Sequence, residues 1–261
     1  MKEALSELYR YRELLRMITY RDIQIKYKQS IMGLFWAILM PALVVVAGLL
    51  VKYVYATTSG GSLNLDDAAT IAVKSIPWAF VVASIRFAST SLIGNAGLVS
   101  KIYFPKEILP FAAVGSQLFD LAVASVMLVV ILFIARIGAS WQLMWVPALL
   151  VILIMLTAGV AMIVSAASLF FRDVKYIVEV LLTFGIFFTP VFYDIETLGE
   201  KGRFLLVNPV APILEGFRSV VVLHRGPDLR WLIYSTVVGL CITVYAYLMF
   251  KKLEPSFAES I

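Results

Sequence analysis

The chain has 261 residues, 61% of them hydrophobic and only 15% charged, with a formal net charge of +5. A soluble domain is about half apolar and about a quarter charged. Together with a mean hydropathy of +0.92, that excludes a soluble domain and describes an integral membrane protein. Its basic excess marks the membrane face that retains Lys and Arg, not a nucleic-acid partner.

From the N-terminus, residues 3–28 are predicted to form an amphipathic helix. Ala4, Leu8, Tyr11, Leu15 and Ile18 recur at four- and three-residue steps on one face, with Arg10, Arg12, Glu13 and Arg16 elsewhere around the barrel. Such a helix lies in the interface with its apolar side among the acyl chains of membrane lipids. The stretch "YRDIQIKYKQS" then enters the first span with no flexible tether, which permits mechanical coupling. Charge continues through Lys28, unlike the pattern of a signal peptide.

A helix needs about 20 mainly apolar residues to cross the hydrocarbon. Six segments qualify: Ile31–Tyr55, Ile76–Leu98, Ile108–Ile134, Trp145–Phe171, Val174–Tyr193 and Trp231–Phe250. The predicted fold is therefore all-α. It is one domain, 1–261, with an interface helix at 3–28, a six-span bundle over 31–250 and a cytoplasmic tail at 251–261. Lys101, Lys106, Arg172, Lys175, Lys251 and Lys252 gather on the side of the N-terminal helix, which places both termini in the cytoplasm. On the other side, "FLLVNPVAPILEGFRSVVVL" is apolar but interrupted by Pro209 and Pro212. Two short external helices dipping partway into the membrane suit that pattern.

Ionisable residues inside spans mark packing bridges or wet routes. Arg86 and Asp120 fall at matching depth in spans two and three, so the sequence offers either a buried bridge between them or a shared conduit. Ser84, Ser89, Thr90, Ser91 and Asn95 make the inner half of span two polar and favour the conduit. Phe184, Phe187, Phe188 and Phe192 share a face of span five by spacing, and Phe35 and Trp36 flank span one. Aromatic faces pack in membranes, and they also carry sugar rings that must slide. There is no phosphate-binding G-x-x-x-x-G-K-[ST] loop, no H-E-x-x-H and no G-x-S-x-G. No catalytic residue, metal ligand set or cofactor is assigned. Cys241 and His224 are each the single residue of their type.

The stretches "YRDIQIKYKQSIMGLFWAILMP", "SLIGNAGLVSKIYFPKEILP" and "LFFRDVKYIVEVLLTFGIFFTPVFY", with "NPVAPILEGFR" and the tail "KKLEPSFAESI", resemble the type-2 ABC permeases that export polysaccharides such as O-antigen, capsule and teichoic acid. The resemblance covers nearly the whole chain, in order and spacing. It implies a homodimer in the bacterial cytoplasmic (inner) membrane, docked on two copies of a cytoplasmic ATPase that binds the ATP and Mg. The substrate would be a glycan on undecaprenyl pyrophosphate or a similar lipid, threaded between the two subunits.

The resemblance further implies an ATPase-coupling loop over 94–107, with Asn95, Lys101, Tyr103, Phe104, Pro105, Lys106 and Glu107 as contact residues. A second contact falls at Arg172 and Asp173, within 172–175. Half-inserted helices map to 196–223. Arg21, Lys26 and Lys28 of the first helix are candidates for the lipid's pyrophosphate headgroup. Two rivals stay open: a type-2 ABC permease for a small lipid or drug, and an ATP-independent secondary transporter. The latter predicts repeat symmetry or paired broken helices, and the sequence displays neither.

Overall fold

The second apolar run starts earlier than hydropathy suggests. In the computed structural model, which describes residues 10–28, 32–59 and 64–257, its helix begins at Leu65 and ends at Ala88. Asp66 and Asp67 open it, where acids suit the positive end of the helix dipole. The Asp67 carboxylate also accepts from the Asn64 backbone N–H at 2.9 Å. Charges that read as loop thus belong to the helix itself.

In chain order the helices are α1 (Arg12–Lys28), α2 (Phe35–Ser59), α3 (Leu65–Ala88) and α4 (Ala96–Lys101). They continue with α5 (Ile108–Ile134), α6 (Val146–Phe170), α7 (Val174–Gly185), α8 (Val210–Val221) and α9 (Leu229–Phe257). The described residues hold helices, turns and no strand. Residues 1–9, and with them Ala4 and Leu8, lie outside the described part, as do 258–261 of the predicted tail.

Helix α3 is the hub, packed by α2, α5, α6 and α8. Ala69, Ala72, Ser75, Ser84 and Ala88 are buried along it, and small side chains let helix backbones approach where lipid offers no hydrophobic drive to associate. The pair α6–α9 uses the same device. A Cβ on Gly159 would meet the Thr243 backbone nitrogen and Cα at 3.0 Å, and the Thr243 hydroxyl donates to the Met155 carbonyl at 2.9 Å. Pro41 lies inside α2 and Pro77 inside α3. Each lacks the N–H that would close a turn, a loss that flanking helices make tolerable.

Among the described residues, five helices are long and apolar enough to cross a membrane: α2, α3, α5, α6 with its preceding turn, and α9. The predicted fifth span differs. Helix α7 has 12 residues, about 18 Å at ~1.5 Å per residue, short of the ~30 Å hydrocarbon. Beyond Gly185 the chain turns through Thr189 and Pro190 to Tyr193. Apolar composition persists to Phe192, so hydropathy alone does not register the break.

The predicted amphipathic helix exists, and part of its apolar face packs against protein. Ile18 is buried in a cluster with Leu109 and Ala112 of α5, with Tyr11, Leu14 and Leu15 beside it. Tyr27 stands 6.0 Å from the Phe119 ring. The segment 194–228 also differs from expectation: α8 is a single half-helix, preceded by short turns at Ile195–Leu198, Gly199–Gly202 and Arg203–Val207. Pro209 caps α8 and Pro212 sits in its first turn. A helix start has no N–H partner to lose, so these prolines begin the helix rather than interrupt it.

Candidate functional site

Five helices converge on a cavity of about 590 Å³. Its walls are mostly apolar: Met40 and Val44 of α2, Ile76 and Trp78 of α3, Leu182 of α7 and Ile186 just past its end. Polar groups enter from Lys26 and Tyr27 of α1, Arg86 of α3, and Gln117 and Asp120 of α5. Such a chamber suits an amphiphile, with an apolar chain against the walls and a polar head at the charges.

Arg86 and Asp120 both line this space, but the expected bridge between them is not formed. Arg86 instead grips Glu179 of α7 with two contacts of 2.7 Å, Nε to Oε2 and Nη2 to Oε1. Asp120 is bonded to the Lys26 ammonium and the Tyr27 hydroxyl. Lys26 also donates to Gln117 Oε1 at 3.1 Å. The reason is the early start of α3, which puts Arg86 in its last turn and within reach of α7. Burial first, then the Asp120 hydrogen bond and charge, pushes the Tyr27 hydroxyl above its usual range, so it remains a donor to the carboxylate.

The hydroxyls of the polar run after Arg86 turn back onto the helix backbone. The hydroxyls of Ser89, Thr90 and Ser91 donate to the carbonyls of Arg86, Phe87 and Ala88 at 2.7, 3.2 and 2.8 Å. They tie off the end of α3, and Ser89 is buried. Among the aromatics, Trp36 lines the cavity, while Phe35 is exposed. Phe184, Phe187 and Phe188 are exposed in a patch with Ile177 and Leu181 of α7. Phe192 leaves this set: its ring packs against Val45, Ile71 and Ala72, within 2.6 Å of where a Cβ on Gly48 would lie.

The headgroup candidates have internal partners or lie at a rim. Arg21 pairs with Asp22 at 2.8 Å and donates to Asn95 Oδ1 at 2.8 Å. Lys26 is held by Asp120, and Lys28 is exposed. Asn95 in turn donates to the Ser91 carbonyl at 2.8 Å, so it locks the turn between α3 and α4 to α1.

The predicted coupling loop divides. Lys101 and Tyr103 are exposed, Tyr103 almost completely at 97%. Phe104, Pro105, Lys106 and Glu107, expected among the contact residues of this loop, are buried. The Lys106 ammonium donates to the Ile102 carbonyl at 2.7 Å and stands 4.4 Å over the Phe104 ring. Burial lowers the Lys106 pKa and raises that of Glu107. Arg172 and Asp173 are exposed at the α6–α7 turn. Tyr103, Lys101, Arg172 and Asp173 are thus exposed together with Ile102 and Phe171 beside them.

Sequence reasoning missed a charged cluster at the opposite end. Lys74 of α3 is fully buried, its ammonium donating to the Tyr193 carbonyl at 2.7 Å and pairing with Asp194 at 3.0 Å and Glu215 at 3.4 Å. Arg218 of α8 reaches Asp194 and Glu215, each at 3.2 Å. Lys52 joins Asp194 at 3.4 Å and Asp67 at 2.7 Å. Burial would raise the Asp194 carboxyl, but Lys74, Arg218 and Lys52 together hold it below the usual range. The cluster fastens α8 to α2 and α3. The signal was a lysine in an apolar run, which reads as loop when the helix start is misplaced.

The sequence pattern of the ABC-2 type transporter family matches residues 13–222. The O-antigen export system permease protein RfbA of Myxococcus xanthus is 26% identical over 265 residues, covering 100% of each chain. Proteins of that name from Klebsiella pneumoniae are 25% and 24% identical over 262 residues, covering 99% of this chain and 98% of theirs. The matched region contains all five walls of the cavity and both exposed turns of the basic end, and the chain belongs to the ABC-2 type transporter family.

Proposed function

We propose that this chain is the permease subunit of an ABC exporter that moves a lipid-linked polysaccharide, such as O-antigen, across the bacterial inner membrane. The full-length likeness to O-antigen export permeases carries this reading. The chain does no chemistry of its own. Two cytoplasmic ATPase subunits bind ATP and Mg, two copies of the permease pair around the path, and both termini face the cytoplasm. The basic end, with Lys101, Arg172, Lys175, Lys251 and Lys252, is then cytoplasmic, and Tyr103 meets the ATPase. The cavity accepts part of the lipid carrier, and the glycan runs between the two subunits.

The cavity also favours a second reading, a permease for a small lipid, because about 590 Å³ is the size of an ordinary small-molecule site. A strain lacking this chain, complemented by it or not, separates the two. The polysaccharide reading expects lipid-linked polymer to accumulate on the cytoplasmic face without the chain and to reach the cell surface with it. Unchanged surface glycan in the deletion strain sinks that reading and leaves the small lipid.

A further inference from the structure

The last turns of α9 carry contacts that the proposed transport path does not use. The Lys251 ammonium lies 3.0 Å from Glu107 Oε1 and 3.3 Å from Glu254 Oε2. Glu254 accepts from the backbone N–H of Lys106 at 3.0 Å. Glu107 is fully buried and is the residue from which α5 starts. The end of α9 thus grips the loop 102–107 at two successive residues, one through its backbone.

The same helix end also holds the other exposed turn. Phe257 is fully buried, its ring 4.9 Å from Phe250 and 5.9 Å from Phe170. Phe170 closes α6, and Phe171, Arg172 and Asp173 follow at once. A buried charge pair is poor at adding stability but strict about geometry, since parting it strands a charge away from water. Aromatic edge contacts are similarly demanding in orientation. The three helix ends at α5, α6 and α9 therefore form one stiff junction.

We propose that Lys251 and Glu254 are positioning residues for energy coupling: the end of α9 ties the loop 102–107 to the α6–α7 turn, so that a push on Tyr103 moves α5, α6 and α9 as one body. This rests on the permease reading. Parting the tie leaves ATP hydrolysis running while less of it reaches the transport path. Tyr103 keeps its exposed place, so capture of the ATPase is retained.

Two variants test it in the complex of permease and ATPase. Glu254→Gln keeps an acceptor for the Lys106 N–H but loses the charge opposite Lys251. Lys251→Met combined with Glu107→Gln removes both partners, so no buried carboxylate is left alone. The complex is placed in vesicles with a labelled lipid-linked glycan, and ATP hydrolysed and glycan delivered are both measured. Capture and hydrolysis should hold within about twofold while glycan delivered per ATP falls about tenfold, inside the range for residues in a coupled network. Unchanged delivery per ATP in complexes of normal composition overturns the inference. So does loss of capture in both variants, which would make the junction a docking or folding element. An unaltered chain that captures no ATPase overturns the permease reading and this inference together, and that is seen before any substitution is made.

Discussion

Arg86 and Glu179 hold each other by two 2.7 Å contacts between α3 and α7, and both side chains are about half exposed. The pair belongs to the rim of the cavity rather than to its core. Reversing either charge sets like charges face to face. Export by Arg86→Glu should fall by at least about threefold, the scale of a half-exposed ion pair. Arg86→Glu with Glu179→Arg should recover most of it, while Arg86→Asp with Asp120→Arg should not. Recovery by the second exchange alone would restore the bridge that the structure does not form. Surface glycan measured against permease abundance reads all four strains.

Lys74 carries the heaviest single load among the buried charges. Lys74→Met leaves Asp194 and Glu215 with one cation fewer in a largely buried site, a change that typically costs about 3 kcal/mol or more. Thermal unfolding of the purified chain in detergent should show a much lower midpoint, with poor expression at growth temperature. A midpoint within a degree or two of the unaltered chain would mean that water reaches the cluster.

The cluster has a definite pH signature. The cations Lys74, Arg218 and Lys52 hold the folded pKa of Asp194 below that of an ordinary aspartate, so its stabilisation is complete above the unfolded value and disappears only as pH falls through the folded one. The stability difference between the unaltered chain and Asp194→Asn should be flat from about pH 5 to 8 and shrink in stronger acid. Denaturation midpoints across that range check it. A difference that fades between pH 7 and 5 would give Asp194 a raised pKa and contradict its three cations.

The phenylalanines separate into two behaviours. Phe184 and Phe188 are exposed, so Phe184→Ala with Phe188→Ala should slow glycan export by about threefold or more and leave the midpoint of the purified chain nearly unchanged, as surface substitutions usually do. Phe192→Ala removes a ring packed on Gly48 and Ile71 and should cost ~3 kcal/mol. Equal loss of stability in both cases would return the exposed pair to packing.

Hydropathy was a good guide where a helix was apolar throughout. The span Ile108–Ile134 was legible to the residue, and Val146–Phe170 nearly so. It failed where charges are paired out of sight. Asp66, Asp67 and Lys74 disguised the first half of α3, and that one misplaced start carried Arg86 to the wrong depth and the wrong partner. It failed in the opposite sense at α7, where composition stays apolar after the backbone has turned. Glu179 sat unremarked inside an apolar run, although a lone carboxylate there is as informative as Arg86. Which loop residues point outward was not legible at all, because "YFPK" alternates in no simple period and the outcome depends on contacts with α9.

The prolines of α2 and α3 have a mechanical consequence for the cavity. Pro41 itself lines it, and Ile76 and Trp78 flank Pro77 there. Each proline leaves its turn one backbone hydrogen bond short and is where a helix bends most readily. Two walls are thus the compliant members, while α5, with Gln117, Asp120, Leu121 and Ala124 on the cavity, supplies a straighter one. The space of about 590 Å³ is set by walls that yield under small loads, so an occupant of another girth can be taken in by flexing α2 and α3 without parting the helix pairs behind them.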